Sequence, residues 1–379
     1  MRSIYNEEIN ELARLYFIIG NEHRIPKNDN PIKRLNSAFN TLGEQLLIHD
    51  NVTLKVYGEN IPLAILINKI GLKNVEELIE KKALSFLLAS PGVSTIVDDI
   101  PGVNPLQSFG KFSGPFGDPE ESVMLGLNFL TSPLPRRERR NLCKKIEKNY
   151  ILPPTELSKK AVEFGHQGYV NDLFANLGLG RKKELGKLNY TERVKLCDLA
   201  MQCYNLSLLS TYNMDSYNNY DLLQLNRDEF QRLKELKSID HVVDEVLKIE
   251  GIPSFAHMFE KGILNLQDIG KLRSGKSAVK FREWVESISD SSDTYDISRA
   301  YIESITRKSF IEKPIGKITR LVSLTVVGGV LGGPVGAGAG AAIDLGLSVF
   351  DSFILDNIIK GWTPKYYIDE KIKPGMQVD

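Results

Sequence analysis

Between positions 321 and 343 the chain runs for 23 residues without a charged side chain, and its glycines keep a fixed interval. Gly328, Gly332, Gly336 and Gly340 recur every fourth residue, with Gly329, Gly333, Ala337 and Ala341 in a second row beside them. On a helix, positions four apart lie one above another, so the two rows make a smooth groove that a second helix enters backbone to backbone. At about 1.5 Å per residue a helix of this length reaches roughly 34 Å, enough for a bilayer interior of roughly 30 Å. Lys313, Lys317 and Arg320 precede the stretch, and Trp362, Tyr366 and Tyr367 follow the next apolar run. Basic and aromatic residues of this kind anchor segments at a lipid–water boundary.

Other features oppose a permanent span. Gly332-Gly333-Pro334 is a turn signal at the middle of the stretch, and its glycines lower helix propensity. If the chain folds back there, neither arm crosses alone. The continuation carries Asp344, Asp351 and Asp356 among apolar residues and is amphipathic. Two readings follow: a hairpin that meets a bilayer when triggered, or a hairpin buried as core of a helical protein.

The remaining residues read as an ordinary globular body. Lys+Arg and Asp+Glu number 48 each, so no global field draws the chain to nucleic acid, which is not an expected partner. The run Arg136, Arg137, Arg139, Arg140, Lys144, Lys145 and Lys148 contains Glu138 and Glu147 and reads as a solvated helix face. Three cysteines, Cys143, Cys197 and Cys203, supply no disulfide framework. The first residues lack the apolar core of a signal peptide. The expected location is the cytoplasm, with peripheral or conditional insertion at the inner face of the cell membrane.

Helical periodicity dominates, giving a mainly α (α+β) class. Residues 8–19, 63–70, 75–79 and 277–288 read as helices, as does the repeat Val194, Cys197, Ala200, Met201, Tyr204, Leu208. Residues 52–57 alternate as a half-buried strand. Residues 83–88 and 93–97, separated by Ser90-Pro91-Gly92, predict a small antiparallel β element near the N-terminus. Residues 98–118 form a long loop rich in proline and glycine, with Phe109, Phe112 and Phe116 to pin it, and Asp118-Pro119 opens a helix. The prolines at 153–154 and the Ser/Asp run at 289–296 mark linkers. They divide the chain into an α+β domain (1–152), a helical domain (153–290) and the glycine-rich hydrophobic module (297–379).

One motif carries explicit chemistry. Residues 270–277 satisfy G-x-x-x-x-G-K-[ST]: Gly270 and Gly275 would let backbone N–H groups wrap phosphates, Lys276 would neutralise them and Ser277 would hold Mg²⁺. The residues before it do not form the continuous apolar strand such a loop follows, and no later run supplies the rest of a nucleotide-binding sheet. No catalytic constellation, metal-ligand spacing or cofactor is assigned. The leading expectation is a non-enzymatic, membrane-active effector or toxin-like protein, in which a body binding a protein partner or itself controls the glycine-rich segment and its contact with lipid. The alternatives are a soluble helical interaction or scaffold protein with the hairpin as core, and a nucleotide-binding enzyme using 270–277.

Overall fold

Val52, Leu54 and Val56 alternate with Asn51, Thr53 and Lys55, yet almost every one of these side chains is buried, because this strand lies inside a sheet covered on both faces. A computed structural model describes residues 3–18, 20, 25–27, 29–89, 93–95, 106–108, 112–170, 187–212, 214–216, 253–288, 367–372 and 374. Its strands are β1 (Ser3–Asn6), β2 (Asn51–Val56), β3 (Leu84–Leu88), β4 (Val93–Thr95), β5 (Leu106–Ser108), β6 (Tyr150–Ile151) and β7 (Met214–Ser216). The helices are α1 (Glu8–Phe17), α2 (Pro31–Ile48), α3 (Ile61–Ile70), α4 (Leu72–Glu80), α5 (Pro119–Gly126), α6 (Arg136–Glu147), α7 (Thr155–Val170), α8 (Tyr190–Tyr212), α9 (Phe255–Glu260), α10 (Ile269–Arg273) and α11 (Lys276–Ile288).

The chain is mainly helical, but its principal sheet is parallel, with order β6-β3-β2-β1-β7. This corrects the expected antiparallel element. Helices α1 and α2 separate β1 from β2, and α3 and α4 separate β2 from β3, so each strand re-enters the sheet in the same direction as the last. Residues 84–88 and 93–95 do not pair with each other. Instead β4 pairs antiparallel with β5, Val93 opposite Ser108, in a separate two-stranded unit.

Alternation sorts the sheet's side chains into two cores. Ile4, Val52, Leu54, Val56, Leu84, Phe86 and Leu88 face α1 to α6 and α9 to α11. Tyr5, Leu87 and Ala89 face α7, α8 and the β4–β5 unit. The chain leaves β1 toward β2, β3 and β6, then crosses back through α7 and α8 to β7 on the other side of β1. The winding reverses at β1.

The first core draws on residues from well-separated parts of the chain. Phe255, Met258, Phe281 and Trp284 join it, as do Tyr367, Ile368 and Ile372 from near the C-terminus. The Tyr367 ring is fully buried and stacks on Phe281 at 4.7 Å between centroids. Tyr367 is therefore a core residue of the body, where an interfacial anchor was expected. Among the described residues, no helix is long and apolar enough to cross a membrane. Gly328, Gly329, Gly332, Gly333, Gly336 and Gly340, with Arg320, Trp362 and Tyr366, lie outside the described residues.

Candidate functional site

The phosphate-loop pattern at 270–277 has no strand before it. Leu266–Asp268 is a 3-10 turn, Gly270 lies inside α10, and Lys276 opens α11 as an exposed side chain. The groups that should surround phosphate do other work. A Cβ on Gly270 would meet Glu77 Oε2 at 3.0 Å, so a carboxylate occupies that side. The Arg273 guanidinium donates to His49 O at 2.9 Å and Asp50 O at 2.8 Å, satisfying carbonyls at the end of α2. The Ser274 hydroxyl donates to Gly270 O at 2.7 Å, Gly275 turns the chain with φ of 100°, and Ser277 hydrogen-bonds Glu370. The pattern is a helix–turn–helix corner that holds α2 and the returning C-terminal residues. The expected phosphate-binding role for Gly270, Gly275, Lys276 and Ser277 is corrected accordingly.

Among the described residues a concave surface lies elsewhere, over the carboxyl ends of β1, β2 and β3. It encloses ≈ 780 Å³ and is walled by α1 on one side and the middle of α8 on the other. Open parallel sheets bind ligands at this place, outside the carboxyl ends where the winding reverses.

Several interactions position its side chains. Asn6 ends β1; its Oδ1 accepts from Ile9 N at 3.3 Å to start α1, while its Nδ2 donates to Gln45 Oε1 at 2.7 Å. With Ile9, Leu12 and Ala13 turned into the core, Asn10, Glu11 and Arg14 face the cleft. Tyr57, just past β2, donates its N–H to Asn10 Oδ1 at 3.2 Å. Arg14 donates to Tyr57 O at 2.6 Å and to Glu59 Oε2 at 3.2 Å, and lies 4.8 Å from the Tyr57 ring centroid. Gly58 follows at φ of 72°, and Phe116 from the proline-rich loop meets Tyr57 edge-on at 5.1 Å. Phe112 packs near Phe116 at 6.5 Å, while Phe109 lies outside the described residues.

Lys55 is the central charge. Its ammonium donates to Glu11 Oε1 at 2.9 Å and Glu7 Oε2 at 3.3 Å. Burial opposes the charged form, but Glu11 and Glu7 outweigh it and hold the Lys55 pKa above its ordinary value. The amine therefore stays protonated at neutral pH and serves as a fixed cation. Farther out, Asp29 accepts from Tyr16 Oη at 2.5 Å and Arg34 at 3.1 Å, and these bonds hold its carboxyl below the usual range.

Near the carboxyl end of β1, two buried polar atoms stand out. Asn10 is 1% exposed and its Nδ2 has no hydrogen-bond partner among the described residues; the same holds for the hydroxyl of buried Tyr5, beneath the cleft on β1. Burial, then the nearby Glu7, Tyr204 and Glu11, pushes the Tyr5 pKa well up. The amino end of the same sheet face differs. There Asn51 Oδ1 accepts from Ser3, Thr53 and Ser85 hydroxyls at 2.8, 2.9 and 2.8 Å, and its Nδ2 donates to Lys82 O. That network is closed. At the carboxyl end the buried donors of Asn10 and Tyr5 have no partner among the described residues.

Sequence reasoning named none of these residues as a site. The available signal was the charged and amide cluster Asn6, Glu7, Asn10, Glu11 and Arg14, which reads as ordinary helix surface until β1 before it is recognised as a strand. No protein-family model, no curated protein and no solved structure matches this chain.

Proposed function

We propose that the body of this protein binds a small polar molecule in the cleft over β1, β2 and β3, and that the glycine-rich segment 321–343 is the part that responds. The observation carrying the first half is the buried amide of Asn10, a residue lining a cleft at the reversal point of a parallel sheet, whose Nδ2 has no partner among the described residues. An unpaired buried donor costs about 1–3 kcal/mol, and a ligand acceptor removes that cost. The test is calorimetry of the full chain against nucleosides, nucleotides, sugars and amino acids, with Asn205→Trp on the α8 wall as a blocked cleft. Binding by wild type and its loss in Asn205→Trp supports the reading. Absence of binding below about millimolar Kd, or binding that survives Asn205→Trp, removes it.

The second half rests on sequence: the uncharged stretch and its glycine rows. Its two flanks belong to one body, since α11 precedes it and Tyr367 stacks on Phe281 of α11 after it. A segment held at both ends on one side of a bilayer enters and returns on that side, so membrane contact takes the form of a hairpin or a surface layer. The turn signal Gly332-Gly333-Pro334 fits that geometry. Truncation after Arg320 is a poor test because it strips Tyr367, Ile368 and Ile372 from the core. Replacing 321–343 by a Gly/Ser linker of equal length keeps them. Equal liposome leakage by this variant and wild type would sink the membrane role and favour the hairpin as a protein–protein or internal packing element.

A further inference from the structure

Helix α6 sets Leu142, Cys143 and Ile146 into the body and turns a row of cations outward. Arg136, Arg140, Lys144 and Lys148 recur every fourth residue and all are exposed, with exposed Arg137 beside them. On a helix that interval stacks them along one face, over roughly 18 Å at about 1.5 Å per residue. Glu147 falls among them, whereas the spacing of Glu138 places it on the flank of Lys145. The face therefore carries five cations against one carboxylate.

These charges differ from others in the body. Lys145 pairs with Glu76 and Glu80, Lys55 with Glu7 and Glu11, and Arg14 with Glu59. None of Arg136, Arg137, Arg140, Lys144 and Lys148 has an ion-pair or side-chain hydrogen-bond partner among the described residues. Like charges four apart on a helix repel, and cations in its first turn oppose the helix dipole. The row costs the fold stability, and a negative surface outside the body relieves it.

We propose that this face of α6 is the surface on which the body docks to an anionic bilayer. A straight row of exposed cations meets a flat surface along its whole length, within the roughly 8 Å over which acidic lipids act at physiological salt. No aromatic residue lies between 136 and 148 to stack on a base, which disfavours single-stranded nucleic acid. The choice of lipid over another polyanion rests on the membrane reading of 321–343. In this arrangement α6 holds the body at the surface and the glycine-rich segment enters it.

The experiment is co-sedimentation of the full chain with vesicles of phosphatidylcholine, alone or with about one-third phosphatidylglycerol. The expected result is binding to the acidic vesicles only, weakened about tenfold or more when salt rises from about 0.1 M to about 0.5 M. Arg136→Gln/Arg140→Gln/Lys144→Gln, all at exposed positions, should weaken it about thirtyfold to hundredfold. Lys33→Gln/Lys159→Gln/Lys160→Gln removes the same charge from exposed positions on α2 and α7 and should weaken it less than about threefold. Equal binding to both vesicle types, or equal loss in the two triple variants, overturns the proposal. So does tighter binding to a duplex DNA or RNA oligonucleotide than to acidic vesicles. In the Gly/Ser-linker variant of 321–343 docking should persist within about threefold, because α6 supplies it. Docking lost in that variant overturns the assignment to α6, whereas leakage unchanged by the linker counts against the hairpin alone.

Discussion

Two regions of this protein look opposite in sequence and in space. Residues 270–277 match a phosphate-binding pattern at every required position, yet they build a helix corner whose residues cap, turn and clamp. The β1–α1 junction, from Asn6 to Arg14, matches no pattern, yet it lies where a parallel sheet reverses its winding and lines a cleft. A pattern of residue types supplies chemistry only when a strand delivers it to the end of a sheet. A sheet end supplies concavity whichever residues occupy it, and they determine what it binds.

The comparison breaks most sharply at Arg273. Arg273→Ala leaves the carbonyls of His49 and Asp50 without their donor, and equilibrium denaturation should show a loss on the order of 3 kcal/mol. A stability unchanged by this substitution, together with a lost nucleotide response, would restore the phosphate reading. At the other region, Lys55→Met leaves Glu7 and Glu11 facing each other. It should cost about 1–2 kcal/mol in the same assay, with the deficit shrinking in Lys55→Met/Glu11→Gln.

Alkaline titration samples both regions at once. Lys55 has a raised pKa when folded because Glu11 and Glu7 overcome its burial; Tyr5 and Tyr367 are raised chiefly by burial. A raised folded value gives stability that is complete below the unfolded pKa and lost as pH climbs toward the folded one. The unfolded values are near 10 for tyrosine and about 10.4 for lysine. The unfolding free energy should therefore be insensitive to these groups from neutrality to about pH 10, then fall by up to about 1.4 kcal/mol per pH unit for each group. Tyr5→Phe should leave neutral stability intact, because the hydroxyl it removes has no partner among the described residues, and should soften the alkaline loss. The smallest effect belongs to the motif's own lysine. Lys276→Ala at an exposed position should shift stability by less than about 0.5 kcal/mol and leave calorimetric titrations with ATP unchanged.

Helices α1, α3, α4, α5, α8 and α11 were legible because periodicity and capping act within a few residues, whereas α2 was not read. Asn30 and Asn60 accept N–H groups at the starts of α2 and α3, each with proline in the first turn, and Asp118-Pro119 starts α5 as its residue types require. Most of the sheet was not legible. β1 offers only Ile4 and Tyr5 as apolar residues, β6 has two residues, and β7 falls within Asn- and Tyr-rich sequence that reads as a connection. Strands this short are defined by their partners, such as Ser3 against Asn51 and Met214, and those partners are far away in sequence.

The sequence by itself determined the helical character of the body, its local caps and the unusual chemistry of 321–343, because these follow from composition and spacing along one element. Tertiary structure decided which residues meet. It made the principal sheet parallel, opened a cleft over the ends of β1 and β2, and stacked the Tyr367 ring on Phe281. The physical reason is the same in each case: parallel pairing, concavity and burial are properties of contacts between distant segments, and local spacing does not encode them.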